Sequence, residues 1–415
     1  MSGGVSGARR GAPFGGRAAG SADLPLHGGH VPPWLAGRMA RLGRVLVEAI
    51  VLHYGRAELI RRLAHPFWFQ ALGCLMGMDW HSSGITTSVV GALKRGLAPV
   101  SRELGIEVCG GRGRHSRRTP EELAAFGDRT GNDGGALARA SRLVAKVDSA
   151  AVQDGFELYL HAFVVTDDGD WAVVQQGMNG ASRTARRYHW LSAGLESFVD
   201  APHAAIEGRP GGAIVNLTDH RAEAARRAQL ALVASGPDAA LAAVAEARRL
   251  HAEAPAPLPH LAMPARHAVQ PSDVVLRRLH GAIAAATERG PRDFAELLLT
   301  PGLGARTVLS LALAAEVIHG APCRFTDPAR FSLAHGGKDG HPFPVPVKVY
   351  DETLRVLRGA VDRAKLGHED RLEAVRRLDV EARRLERAAE GPSLPEFLEN
   401  ERAASPGYGG RTVFG

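Results

Sequence analysis

Apolar positions along the chain change period twice, and the changes mark its elements. From Trp34 to Leu63, Leu35, Met39, Leu42, Leu46, Ile50 and Leu59 recur near helical spacing, behind Pro32-Pro33 and before His65-Pro66. Residues 85–104 repeat the pattern through Val89, Val90, Leu93 and Leu97. The period then shortens. Phe156–Val165 (FELYLHAFVV) and Trp171–Gln176 (WAVVQQ) are rich in β-branched and aromatic residues, and Asp167-Asp168-Gly169-Asp170 between them predicts a β-hairpin. A lone hairpin is marginal, so other elements must cover it. Ile106–Val108 and Ala213–Val215 are the candidate partner strands. Helical spacing returns in an Ala-rich stretch at 218–250, resumes from Ser272 to Ile318 with breaks at Gly290-Pro291 and Pro301-Gly302, and ends in a charge-alternating stretch at 347–389. That last stretch is evenly charged and reads as a solvated, ion-paired helix.

These patterns predict an α+β fold, predominantly helical, with a small central β-sheet and a C-terminal helix-hairpin-helix-like module. The regions read as a basic tail (1–20), a basic helical region with an Arg/Gly loop (21–130), a hairpin-containing region (131–220), an Ala-rich helix with a Pro/Ala linker (221–270), the helix-hairpin-helix-like region (271–345), a long charged helix (346–390) and a flexible tail (391–415).

Charge adds an asymmetry. The 415 residues carry a net +7, and residues 1–118 hold sixteen Lys/Arg against six Asp/Glu. Arg outnumbers Lys throughout, so composition raises the isoelectric point everywhere, but composition does not place the excess in one half. An anionic partner would meet the N-terminal half first. Three scattered cysteines, Cys74, Cys109 and Cys323, fit neither a disulfide framework nor a cysteine-built zinc site. With no apolar run of membrane-spanning length and no signal-like apolar stretch at the start, the sequence predicts a cytoplasmic protein with no membrane partner. The oligomeric state is not readable.

Five segments carry candidate chemistry. Phe294–Ile318 (FAELLLTPGLGARTVLSLALAAEVI) reads as helix, tight turn, helix and resembles the helix-hairpin-helix module of DNA repair proteins and ligases. Gly302 and Gly304 would let backbone N–H groups face a phosphate at a helix start, with Arg306 and Thr307 as added donors and Leu303 as a plug. A plain helical hairpin with a Gly-rich corner fits the same residues. In Ile106–Leu123 (IEVCGGRGRHSRRTPEEL), Arg112, Arg114, Arg117 and Arg118 follow two glycines and could wrap a phosphate backbone, or form an idle basic loop. His27 with His30, and His335 with Asp339 and His341, sit on His-Gly-Gly segments as possible metal ligands, although no standard ligand spacing is met. Asp79 and His81, beside Ser82 and Ser83, read either as an acid/base or metal site or as the cap of the next helix. Finally Asp154, Glu157 and His161 on the hairpin, followed by Arg186 and Arg187 in ARRYHW, have the layout of a metal-dependent nuclease core served by Mg²⁺ or Mn²⁺. Alternation places Glu157, Tyr159 and His161 on one face of the strand. The acidic-x-Lys element of restriction-type nucleases is missing, and ARRYHW could equally grip phosphate and stack a base. There is no GxxxxGK[ST], HExxH or GxSxG.

The segments SADLPLHGGHVPPWL (21–35), HPFWFQALGC (65–74), DWHSSGITT (79–87), VVQQGMN (173–179), ARRYHWLS (185–192) and FSLAHGGKDGHPFPV (331–345) together resemble a prokaryotic domain-of-unknown-function family, number 763, over about residues 20–350. The resemblance implies no activity, and the Gly/Ala/Arg head before Ser21 departs from it. The reading is thus a DNA-binding protein of DNA processing or repair, with metal-dependent nuclease or phosphodiesterase activity as one form of it. A non-catalytic nucleic-acid-binding or scaffold protein, or an enzyme on a small phosphorylated metabolite, are the alternatives.

Overall fold

A computed structural model describes residues 24–25, 33–76, 78, 84–208, 210–253, 276–329, 355–357, 359–362 and 403. The candidate residues His27, His30, Asp79, His81, His335, Asp339 and His341 lie outside the described residues, as do the expected 1–20 tail, most of the Pro/Ala linker and most of the charged helix.

After β1 (Leu24–Pro25) come four main helices: α1 (Pro33–Tyr54), α2 (Arg56–Leu63), α3 (Pro66–Leu75) and α4 (Gly84–Leu97). The single helix expected over 34–63 breaks at Gly55, whose φ of 85° a side chain would resist. Pro66 then opens α3, and the His65 ring caps it by accepting from the Trp68 N–H. A short turn of helix, α5 (Ser101–Leu104), leads into β2 (Ile106–Arg112), then α6 (Arg114–Arg117), α7 (Thr119–Thr130) and α8 (Gly134–Lys146). A π-helical turn (Val147–Ala151) and β3 (Val152–Gln153) precede the hairpin β4 (Glu157–Thr166) and β5 (Trp171–Asn179). Next are β6 (Thr184–Leu191), β7 (Ala205–Glu207) and β8 (Ala213–Asn216). The Ala-rich stretch is two helices, α9 (Glu223–Ala234) and α10 (Pro237–Glu253), because Gly236-Pro237 divides it. The last described elements of this body are α11 (Leu276–Arg289), α12 (Phe294–Leu298), α13 (Ala305–His319) and β9 (Arg324–Thr326).

The hairpin is the centre of an antiparallel sheet ordered β1-β6-β5-β4-β2, with β7 also on β6. Ile106–Val108 joins it, as expected. Ala213–Val215 does not: it sits in a second sheet, β3-β8-β9.

Both faces of the main sheet are covered, which explains why β4 is an almost unbroken apolar run. Leu160, Ala162 and Val164 of β4, with Ala172 and Val174 of β5, pack under α1 to α4. Phe163, Val165, Val173, Tyr188 and Trp190 pack against α7 to α13. Each large side chain taken out of water this way contributes roughly 1.5–3 kcal/mol. Leu357, Ala360 and Val361 are buried in the α1–α4 cluster, so the stretch expected to be a solvated helix has an apolar side at its start. No described helix is long and apolar enough to cross a membrane.

Candidate functional site

The arginine loop is built on an anchored root. Gly110 lies within β2 at φ 84°, and a Cβ there would meet the His161 carbonyl oxygen at 2.3 Å and the Thr119 Oγ1 at 2.4 Å. The close approach lets Glu122 Oε2 accept from the Gly110 N–H (2.7 Å) while Lys94 Nζ donates to the Gly110 carbonyl (2.8 Å) and to Glu122 (2.7 Å). The glycines therefore fix this turn instead of loosening it. Past them, Gly113 N–H donates to the Tyr159 carbonyl (2.8 Å), and Ser116 and Thr119 hydroxyls donate back to the Gly113 and Ser116 carbonyls. Arg112, Arg114, Arg117 and Arg118 all emerge exposed, and none has a carboxylate partner among the described residues. The Arg112 guanidinium lies 5.9 Å from the Tyr159 ring centre.

Strand order places this loop at one end of the sheet. Arg112 pairs with Leu160 near the start of β4, Asn179 at the end of β5 pairs with Thr184, and Pro25 also pairs with Thr184. Arg183, exposed at φ 55° in the β5–β6 turn, adds a fifth cation there. Strands spaced by about 4.8 Å put β2 and β6 about 14 Å apart.

The glycine turn is tied to the end of α8 and to the segment that leads into β4. Gln153, just before Asp154, donates to the Ala305 carbonyl (3.0 Å), and Lys146 Nζ donates to that of Leu303. Pro301, Gly302 and Arg306 are exposed, and Leu303 is fully buried. Nothing lies within 4 Å of a Cβ built on Gly302 or Gly304. Gly302 takes φ 79°, whereas Gly304 is extended and caps α13 with no side-chain hydrogen bond. Thr307, expected to donate to a phosphate, is buried.

Arg186 and Arg187 require a larger correction. Their sequence context predicts phosphate contacts, but β6 carries them into the interior, where both are almost wholly excluded from solvent. Arg186 Nη1 bridges Asp154 (2.9 Å) and Asp327 (2.9 Å), stacked 4.4 Å from the Phe156 ring. Asp154 also accepts from Tyr188 Oη (2.7 Å) and the Phe156 N–H (3.1 Å). On the opposite face Arg187 pairs with Glu207 (3.0 Å) and donates to Thr86 Oγ1 (2.8 Å) and Gln70 Oε1 (2.9 Å), over the Phe69 ring. A guanidinium with these partners is a structural charge.

The expected carboxylate–histidine set is not assembled either. The β4–β5 register slips between Leu158 and Leu160. This bulge at Tyr159 puts Tyr159 and Leu160 on the α1–α4 face and returns His161 to the other. Glu157, paired with Met178, is exposed on the face opposite His161. His161 accepts at Nε2 from Ser141 Oγ (2.8 Å) and donates at Nδ1 to Gln175 Oε1 (2.7 Å). Burial lowers its pKa, which favours the neutral ring. Asp154 is pushed up to about 6, first by burial and then opposed by Arg186 and reinforced by the Asp327 carboxylate. Among the described residues no group of three or more His, Cys, Asp or Glu side chains is placed to hold a metal ion.

The model of a family described as a protein of unknown function, DUF763, matches residues 20–345. The chain belongs to the DUF763 family. No curated protein and no solved structure matches it. Three of the segments that carried the resemblance meet at Arg187 of this DUF763 protein: HPFWFQALGC supplies Gln70, DWHSSGITT supplies Thr86, and ARRYHWLS supplies the arginine itself. The residues that sequence reasoning missed, Asp327 and Glu207, are buried acids whose partners lie far along the chain. Only their occurrence beside strands hinted at them.

Proposed function

We propose that this DUF763 protein binds DNA by its phosphate backbone, at the sheet end that carries Arg112, Arg114, Arg117, Arg118 and Arg183, with the Gly302–Gly304 turn as a second phosphate contact. The observation that carries the reading is a set of exposed arginines on an anchored loop, with no carboxylate to neutralise them among the described residues. A backbone already anchored loses little freedom on meeting phosphates, and each guanidinium can take one bidentately. The open space at both glycines supports the same reading, since a phosphate can approach the start of α13 without meeting a Cβ. Such contacts hold backbone and read no sequence. We place the activity in the cytoplasm, where the three free cysteines stay reduced.

The test is a titration of single-stranded and duplex DNA at several salt concentrations. Binding should weaken steeply with salt, and replacing the four loop arginines by Ala should flatten the log–log slope by about 3–4 units, one released counterion each. An unchanged slope removes the loop from the interface. Repeating the titration with Mg²⁺ or Mn²⁺ and scoring intact against cut strands decides whether binding is accompanied by cleavage.

A further inference from the structure

A second site lies away from the arginines, in the segment between β6 and β7. A cleft of about 300 Å³ is bounded there by Leu191, Leu195, Glu196, Asp200, His203 and His220. Its volume is at the lower end of small-molecule sites.

Hydrogen bonding fixes what the cleft presents. Asp148 stands in the π-helical turn, a distortion frequent at functional sites, and is fully buried. An ionised carboxylate only accepts. Its Oδ2 takes Trp190 Nε1–H (2.9 Å) and Gln175 Nε2–H, and its Oδ1 takes His203 Nε2–H (2.5 Å). With the Gln175 amide nitrogen committed to Asp148, its Oε1 must accept from His161 Nδ1, whose Nε2 then accepts from Ser141. Every proton in this line is therefore placed by one buried acid. At the other end, His203 donates through Nε2 to Asp148, which leaves Nδ1 as the ring nitrogen without a partner among the described residues. The ring cannot readily swing away: Trp190 lies 4.5 Å and Tyr188 6.3 Å from its centre. Ala201, two residues before it, holds φ 42°, a strained backbone kept by its N–H bond to the Thr218 carbonyl (2.7 Å).

The geometry points to a binding site for a small neutral polyhydroxylated molecule, of sugar size, whose hydroxyl donates to Nδ1 of His203. The Glu196 carboxylate beside it is an acceptor too, and the Asp200 carboxylate stands 3.6 Å from the Arg226 guanidinium, so the ligand must supply the donors. The same carboxylates disfavour phosphate, which sets this cleft apart from the proposed DNA surface. Its test does not depend on that surface.

Imidazole nitrogen NMR of the full chain, titrated with D-ribose and separately with ethanolamine, tests the assignment. His203 should be the Nε2–H tautomer, and D-ribose should shift its Nδ1 signal saturably. His203→Phe, which keeps a ring against Trp190, should abolish ribose binding. The surface variant Glu196→Gln leaves both the buried network and the Asp200–Arg226 pair untouched and should weaken it by about tenfold, the worth of one hydrogen bond to a charged group. An Nδ1–H tautomer, no saturable shift with ribose, a response to ethanolamine alone, or equal affinity in the surface variant would each overturn the assignment.

Discussion

Two runs of arginine in this chain look alike as text and behave as opposites. Arg112 to Arg118 sit on the surface with no carboxylate partner, while Arg186 and Arg187 lie buried on either side of one strand, each paired to a buried acid. The difference comes from where acids arrive in the fold. Asp327, 141 residues beyond Arg186, comes in just after the short strand β9 of the second sheet, and Glu207 comes from β7 at the edge of the first. A buried charge without a partner costs several kcal/mol, so these acids are required where β6 runs inside. In the solvated loop no such requirement exists, and a free guanidinium is left for a partner from outside.

The largest expected effect falls on the buried run. Arg187→Met removes the charge opposite Glu207 and should cost about 3–5 kcal/mol, read as a lowered midpoint of chemical denaturation. Adding Glu207→Leu should recover much of it, because an apolar pair of similar size can replace a buried ion pair. A loss below about 1 kcal/mol would mean that water reaches Arg187 and that the contrast with the loop is false.

Acid should act on the same interior. Burial holds His65, His161 and His189 below the usual histidine pKa of 6.5, with nearby arginine charge adding to the effect for His65 and His189. The unfolded chain binds these protons first, so stability is full above about pH 6.5 and falls as pH drops below it. His65, lowered to about 4, accounts for about 3 kcal/mol across that window. Asp154 works in reverse: raised to about 6 in the fold, its contribution is present at low pH and lost as pH rises through 6. Denaturation midpoints at stepped pH should therefore fall below pH 6.5 in the wild type and fall less in His65→Asn, which keeps a capping side chain at the α3 start. Equal acid sensitivity in both would remove His65 from the balance.

How far these features were legible depended on range. The β4–β5 hairpin was readable because its β-branched and aromatic runs and the Asp167–Asp170 turn are local, and the reversal at Thr300-Pro301 for the same reason. The third central strand, β6, was not. Its polar residues suggested surface, and only the fold shows that Gln70, Thr86, Glu207, Asp154 and Asp327 surround them. The bulge at Tyr159 left no mark in the sequence, yet it decides that Glu157 and His161 face apart.

The two glycines of the α12–α13 turn separate strain from function. Gly302→Ala should cost about 1 kcal/mol, since its φ of 79° opposes a side chain even though space is open. Gly304 is extended and open, so Gly304→Val should change stability less while crowding the approach of a phosphate. Denaturation together with a DNA titration reads both. A Gly304→Val protein with unchanged affinity would leave the arginine loop as the sole contact.

The smallest expected effect tests the other half of the comparison. Arg114, Arg117 and Arg118 have neither ion-pair nor ring partners among the described residues, so each change to Ala should move stability by less than about 0.5 kcal/mol. Arg112 should be the exception, because its contact with Tyr159 adds about 0.5–1 kcal/mol at an exposed site. The ordering matters more than the sizes. If the loop holds itself through Gly110, Glu122 and Lys94, removing its arginines alters what it binds and not whether it forms. A protein lacking all four that lost several kcal/mol would show the loop cations to be structural after all, like Arg186 and Arg187, and would take away the free charge on which the DNA reading stands.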